Sequence, residues 1–564
     1  MRLLWLVGCV AFGVGCGTPP SAVDGGGSGG GSAGELDAGA DAGIDCNAGA
    51  QAANDVVFTE RGPVRGEVTP GGRAFRGLPF VKPPTGALRW RPPEEERACW
   101  AGTRDALQFG PQCPQLEQAQ GQPFDAGAPV FGDEDCLTLN VFTPASASPD
   151  AGLPVMVFIH GGGNTLGSAR EPIGNTSTIL YDGTRLAQAG NVVVVTMQYR
   201  IGVLGYLSMP SLDAETDGGV SGNYGLMDQQ AALRWVKRNV AGFGGDPSRV
   251  LLFGESAGAL NTCTHLAMPG SAGLFQRAIV QSGSCGAALT PDVRRMESST
   301  WLGGTGCAAA ADIAACLRAL TPEQAIRAYP VPVVVGGRRP SVSWGPVIDG
   351  RVLPELPYEA MRNARHHRVP VMIGSNLDET NLSMPLITTE QEYRAAVTAL
   401  IGPVLADRVT QQLYPSATYG TPRRALVQAT TDGFFGCQAR IASRAAALGN
   451  TGGPVYRYLF ARAAQPLRGA FHGVELVYVF QKVSEAVANP NPADTAVEAS
   501  MLGWWTRFAA TGDPNGVGSV SWPRYSSTEP LLRIDATPMT VSGWRTAECD
   551  FWDMVTSTNV PAPP

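Results

Sequence analysis

The 564-residue chain is poor in charge and in histidine: charged residues make up 16% of it and histidine occurs 5 times. There is no block of lysine or arginine and the formal net charge is -7, so nothing attracts a polyanion and nucleic acid is not an expected partner. No Cys/His spacing matches a metal site. The apolar run from Leu3 to Phe12 is too short to span a bilayer. Apolar residues, at 44%, are nevertheless enough for a sizeable core, and large α/β enzymes often keep one sheet through many insertions. With so few histidines, a general base can be sought by elimination.

The ends of the chain read differently from its middle. Residues 1–16 have one early positive charge and a short apolar stretch, the pattern of a secretory signal. This signal ends in Gly13-Val14-Gly15-Cys16-Gly17, which resembles a bacterial lipobox with Cys16 as the lipidated residue. Gly13 departs from the aliphatic residue usual there; Leu6-Val7-Gly8-Cys9 fits better but leaves too short an apolar run, and ordinary cleavage is the other reading. Residues 17–54 are Gly, Ser, Ala and Asp with almost nothing to bury, a disordered tether. The expectation is an exported protein: a membrane-anchored lipoprotein facing the periplasm or cell surface, or otherwise a secreted one. A single domain is expected over 55–556, followed by a tail over 557–564.

Within that domain the pivotal stretch is Gly254-Glu255-Ser256-Ala257-Gly258, which follows the apolar run Val250-Leu251-Leu252-Phe253 and precedes a small-residue, helix-compatible segment. A strand, a serine flanked by glycines and a helix are the setting of an exposed nucleophile; a capping serine in an ordinary loop is the bland alternative. Upstream, Leu153 to His160 is apolar at nearly every position, as for a parallel strand buried on both faces, and ends in Gly161-Gly162-Gly163-Asn164. Glycines there let backbone N–H groups approach a developing oxyanion, although a mobile glycine loop would look the same. Val56 to Thr59 and Gly62 to Gly66 read as outer antiparallel strands, the proline-punctuated Phe75 to Pro84 and Leu88 to Pro93 as extended chain over a surface, Asn191 to Tyr199 as a second buried strand and Asn223 to Lys237 as a helix. Strand, helix and strand in succession predict right-handed parallel crossovers, with both glycine motifs beyond the strands' carboxyl ends.

These stretches, with Phe75 to Pro93 and Glu134 to Val141, resemble the type-B carboxylesterase and cholinesterase family from Val56 to about Met554. The resemblance implies an α/β-hydrolase fold: a large, mostly parallel central sheet flanked by helices, with long insertions over the active site. It also implies ester hydrolysis without a cofactor, through Ser256 as nucleophile, His472 as base in a matching His-Gly-x-Glu segment, and Glu379 as acid. Asp378 stays open as the acid, and Thr380 departs from the family's glycine. The remaining histidines, His160, His265, His366 and His367, lie where a structural or solvated role is expected, the last two in a surface-like connection. Gly162, Gly163 and Ala257 would form the oxyanion hole, with Glu255 and Ser282 close to the triad. The same resemblance pairs Cys113 with Cys136, Cys307 with Cys316, and Cys437 with Cys549. Position alone suggests Cys263 with Cys285, one after the nucleophile helix and one after the next strand, whereas Cys46 and Cys99 have no argued geometry.

Cholinesterases carry a cation-binding tryptophan in the loop matching 114–135, and this loop has none, which disfavours choline esters. Small to medium carboxylic esters of apolar acids are the expected substrates. A lipase acting on longer acyl chains, or a catalytically silent tethered binding module of the same fold, is the alternative.

Overall fold

The computed structural model describes residues 45–49, 51–117, 127–174, 176–216, 218–328, 344–449, 453–463 and 469–556. Its centre is an eleven-stranded sheet. In chain order the strands are β1 (Glu67–Thr69), β2 (Gly72–Pro79), β3 (Thr138–Pro144), β4 (Leu153–Ile159), β5 (Val193–Met197) and β6 (Gly245–Glu255). They continue with β7 (Arg277–Gln281), β8 (Val371–Asn376), β9 (Val455–Phe460), β10 (Leu531–Ile534) and β11 (Met539–Val541). Across the sheet the order is β11-β10-β9-β8-β7-β6-β4-β5-β3-β2-β1. Strands β4 to β10 run parallel to their neighbours among themselves, while β1, β2, β3 and β11 pair antiparallel at the two margins. The central sheet is therefore large and mostly parallel, as the family resemblance implies.

Burial on both faces explains the continuous apolar runs. In β4, Val155, Val157 and Ile159 enter one core while Met156 and Phe158 enter the other. In β6, Val250 and Leu252 alternate in the same way with Leu251 and Phe253. Helices α1 (Tyr224–Asn239), α2 (Ala257–Ala267) and α3 (Cys437–Gly449) supply side chains to the first core. Helix α4 (Pro492–Thr511) covers the opposite face with Trp504, Trp505 and Phe508. It is delimited by a reciprocal cap between Asn491 and Asp494, proline at its start, and Gly512 at φ 78°. Two further clusters lie off the sheet, one around Trp90, Tyr206, Trp301 and Leu317, the other around Tyr393, Tyr414, Leu426 and Trp552.

Some local expectations change. Val56–Thr59 and Gly62–Arg65 do pair antiparallel, but with Arg104–Asp105 they make a separate three-stranded sheet. Phe75 to Pro79 does not run over a surface: it belongs to β2, with Phe75 and Leu78 fully buried. The ordered body also reaches back beyond the expected boundary at 55. Cys46 is bonded to Cys99, and Asn47 Nδ2 donates to Thr59 O at 3.0 Å, so at least residues 45–49 of the expected tether are fastened to the body. The signal over 1–16, Cys16, and the tail over 557–564 lie outside the described residues. Among the described residues no helix is long and apolar enough to cross a membrane.

Candidate active site

The turn after β6 is sharp because Ser256 sits at φ 56°, ψ -120°, a region that a non-glycine residue adopts only when its surroundings impose it. Those surroundings are visible. Ser256 N–H donates to Gln281 O at 2.9 Å on the adjoining β7, and Leu260 N–H returns to Ser256 O at 3.0 Å, starting α2. Gly258 packs directly on Ile159 O and could not carry a side chain there. The serine is thus wedged between two parallel strands, at the first residue before a helix N-terminus.

β4 and β6 are neighbours, with Ile159 opposite Gly254, so the glycine loop after β4 lies beside this turn. A Cβ added to Gly161 would stand 3.1 Å from Ser256 Cβ and 2.7 Å from Glu255 Oε2. Gly162 and Gly163 follow at φ 105° and 63°, and the space beside Gly163 is open. The two glycine-containing motifs therefore meet at one place, with Ala257 at the first position of α2 on one side and Gly162 and Gly163 on the other.

His472 approaches from a loop beyond β9. Its Nδ1–H donates to Glu379 Oε2 at 2.7 Å, and its Nε2 lies 3.2 Å from Glu255 Oε1, next to the serine turn. The backbone joins the same two loops, since His472 N–H donates to Glu379 O at 3.1 Å. Glu379 is buried and its other oxygen accepts from Asn376 N–H at 2.6 Å. Asp378 points elsewhere: its Oδ2 accepts from Ala470 N–H at 3.0 Å and so braces the histidine loop. Between the two open candidates, Glu379 is the carboxylate that faces the imidazole. Thr380, in place of a glycine, turns its hydroxyl away to Val427 O at 3.0 Å and Thr430 Oγ1 at 2.7 Å, leaving the Glu379 contact intact.

Electrostatics concentrate around this imidazole. Burial opposes its positive charge, but Glu255 and Glu379 outweigh that, so His472 holds a proton above the usual histidine range. Burial likewise lifts the Glu255 carboxyl above the usual carboxylate range, with His472 opposing and Glu475 and Glu379 reinforcing. Glu475, three residues after the histidine, is fully buried and raised by burial and by Glu379. Its oxygens accept from Gln281 Nε2 at 3.1 Å and Asn376 Nδ2 at 2.5 Å, so it ties the ends of β7 and β8 under the histidine loop. The Phe435 ring lies 4.8 Å from the imidazole, centre to centre. Ser282 is also buried at φ 56°, one residue after the carbonyl that receives Ser256 N–H.

The other histidines are placed apart from this contact. His265 is buried with Nδ1 at 2.8 Å from Ser271 Oγ and Nε2 at 2.9 Å from Gln229 Oε1. His160 is buried beneath the glycine loop, stacked on Tyr199, and burial lowers its pKa to about 4. His366 is buried, not surface-like as its basic neighbours suggest, and His367 Nε2 is 2.7 Å from Met268 O. All four expected disulfides form: Cys113–Cys136, Cys263–Cys285, Cys307–Cys316 and Cys437–Cys549. Cys46–Cys99 is a fifth, for which the sequence offers only the even cysteine count as a signal. The buried hydrogen-bonding roles of Gln281 and Asn376 have no such signal, since neither residue type is distinctive at its position.

A sequence model of the carboxylesterase family matches residues 53–552. The chain is 37% identical over 483 residues to fumonisin B1 esterase of Sphingopyxis macrogoltabida, covering 83% of this chain and 84% of that protein. It is 33% identical over 499 residues to para-nitrobenzyl esterase of Bacillus subtilis, covering 86% and 95% respectively. Among solved structures, a PNB esterase superposes with a TM-score of 0.73 at 31% identity, over 89% of this chain and 100% of that one.

Proposed function

The chain belongs to the carboxylesterase family of α/β-hydrolases and is a carboxylic ester hydrolase, and on that premise we propose that it works through Ser256, His472 and Glu379. One observation carries the assignment: His472 Nδ1 is held by Glu379 at 2.7 Å while Nε2 is turned to the residue preceding Ser256. A base fixed at one nitrogen and directed at the serine turn with the other is what nucleophile activation requires.

In this reading Ser256 Oγ attacks the ester carbonyl carbon as Nε2 takes its proton. Glu379 keeps the imidazole in the tautomer with the proton on Nδ1 and offsets the charge that appears on the ring. The carbonyl oxygen becomes an oxyanion and is met by the N–H groups of Gly162, Gly163 and Ala257. Collapse of the tetrahedral species returns the proton to the leaving alcohol and leaves an acyl-serine. Water then attacks that ester through the same base, and serine is regenerated with release of the acid.

The substrates proposed are small to medium carboxylic esters. The test is hydrolysis of p-nitrophenyl esters from acetate to palmitate by the full chain, with Ser256→Ala beside it. Turnover that falls with acyl length and vanishes in the variant supports this reading, and a maximum at long chains would reassign the protein to lipases. Turnover surviving in Ser256→Ala would refute the mechanism, and no turnover on any of these esters would leave a narrow natural substrate or a binding module. We further propose export and anchoring through Cys16, supported by the leader's composition. Membrane-fraction retention of Cys16→Ala would overturn the anchor.

A further inference from the structure

The oxyanion hole assigned above is built from two separate pieces of chain, and something must fix the gap between them. Gly162 and Gly163 belong to the loop after β4, whereas Ala257 opens α2. Near the sheet, the contact of Gly258 with Ile159 O sets the distance. Farther out, the loop is held by its own turn, in which Thr165 and Leu166 N–H donate to Gly162 O, and by Gln115, whose side chain pairs with the Gly167 backbone, but neither contact reaches α2. At that outer point the structure has a pair of buried amides. Asn261 Nδ2 donates to Asn164 Oδ1 at 2.8 Å, and Asn164 Nδ2 approaches Asn261 Oδ1 at 3.4 Å.

We propose that Asn164 and Asn261 are positioning residues that set the width of the oxyanion hole and thereby the turnover rate; the inference rests on the serine mechanism proposed above. Asn164 immediately follows Gly163. Asn261 stands four residues after Ala257, hence on the same face of α2 one turn further along. The pair thus connects the residue next to one group of donors with the helical turn that carries the other. Both side chains are buried, 3% and 0% exposed, where a hydrogen bond is stiffer than in water.

Asn164 is itself held in place by neighbours other than Asn261. Its backbone is left-handed, φ 54°, a conformation that asparagine tolerates and most side chains do not. Its carbonyl accepts from Gly202 N–H at 2.6 Å, in a segment itself fixed by the buried ion pair between Arg200 and Asp228 on α1. Tyr206 Oη donates to the same Oδ1 at 3.2 Å. Two apolar residues in these positions could fill the volume, but only a directional pair holds the loop at one distance from the helix.

The test compares Asn261→Ala, Asn164→Gly and the double variant in the full chain, with Ser256→Ala as reference. Glycine at 164 keeps the left-handed backbone, so that variant removes the side chain without denying the turn. A shift of about 1 Å at reacting groups can cost up to ~10²-fold, so kcat on p-nitrophenyl butyrate should fall roughly tenfold to a hundredfold. KM should stay within about threefold of wild type, and the Ki of an aryl trifluoromethyl ketone, which reacts with the serine to give an oxyanion, should rise in proportion to the loss of kcat/KM. The double variant should be no worse than the more impaired single one, because either change breaks the same bridge. Folded variants with kcat within about twofold of wild type, or losses that multiply, would overturn the inference. Turnover surviving in Ser256→Ala would instead sink the serine mechanism, whatever the asparagine variants do.

Discussion

Replacing Glu379 with glutamine is nearly isosteric, yet the surroundings give the new amide no satisfactory orientation. Glu379 Oε1 accepts from Asn376 N–H at 2.6 Å and Oε2 accepts from His472 Nδ1–H at 2.7 Å. Glutamine has one acceptor oxygen to offer two donors. The Asn376 peptide ends β8 in register with Phe460 and cannot turn, whereas an imidazole can change tautomer. The amide oxygen of the substituted side chain will therefore stay with Asn376, and its NH2 will face Nδ1. That nitrogen must then accept, so the ring proton moves to Nε2, the nitrogen proposed to take the serine proton, which then has no free lone pair. A wrong tautomer at such a site costs ~10⁴-fold in kcat, or about 5 kcal/mol in the barrier. The assay is p-nitrophenyl butyrate hydrolysis at saturating ester, with thermal unfolding of both proteins to show that the variant is folded. Asp378→Asn serves as control, since Asp378 braces Ala470 and does not touch the imidazole. A folded Glu379→Gln enzyme keeping more than about a tenth of wild-type kcat, or an equal loss in the Asp378 variant, would refute the argument.

Two further expectations concern charge and covalent closure. Glu255 is the leading charge that stabilises the His472 imidazolium, so Glu255→Gln should lower the histidine's pKa and make the free base available at lower pH. The acid limb of the kcat/KM profile should then move to lower pH, and a shift to higher pH would show the sign to be wrong. Removing Cys437–Cys549, which joins residues 112 apart, should destabilise the protein by about 5 kcal/mol on loop entropy, against about 3 kcal/mol for Cys307–Cys316 at a separation of 9. Denaturant unfolding of the paired Cys→Ser variants measures the difference, and equal losses would count against the entropic account.

The parts of the fold legible in the sequence are those where one physical demand dominates. β4 and β6 are buried on both faces, which leaves no room for polar residues and gives unbroken apolar runs. β2 is hidden because its pairing with β3 slips between Phe75 and Leu78, which spoils the two-residue alternation, and because its final residue, Pro79, looks like a breaker. The serine turn is legible because its glycines are required by close backbone approach at Gly254 and Gly258. Which of Asp378 and Glu379 meets the imidazole is not derivable from residue types, since adjacent carboxylates differ only in where the loop aims them. Cys46–Cys99 and Asn164–Asn261 join segments 53 and 97 residues apart through common residue types, and no periodicity announces such a meeting.

The two satellite clusters described with the fold have a bearing on how such an enzyme can change. One packs Trp301, Leu317 and Ala325 from the helices Pro291–Gly303, Ile313–Arg318 and Pro322–Arg327, inside the chain's excursion between β7 and β8. The other packs Tyr393, Val397 and Leu426 from the helices Glu390–Ile401 and Pro422–Thr431, within the excursion between β8 and β9. Each excursion contributes helices to a core shared with other parts of the chain, the first with Trp90, Tyr206 and Met268 and the second with Phe551 and Trp552, while Ser256, Glu379 and His472 take their coordinates from the loops next to the strand ends. Both cores touch the candidate site at a single kind of joint, a hydrogen bond from Tyr206 to Asn164 in one case and between Thr430 and Thr380 in the other. Such a protein is modular in the engineer's sense up to those joints: an excursion can be repacked while the frame stays in register, provided the two hydrogen bonds are kept.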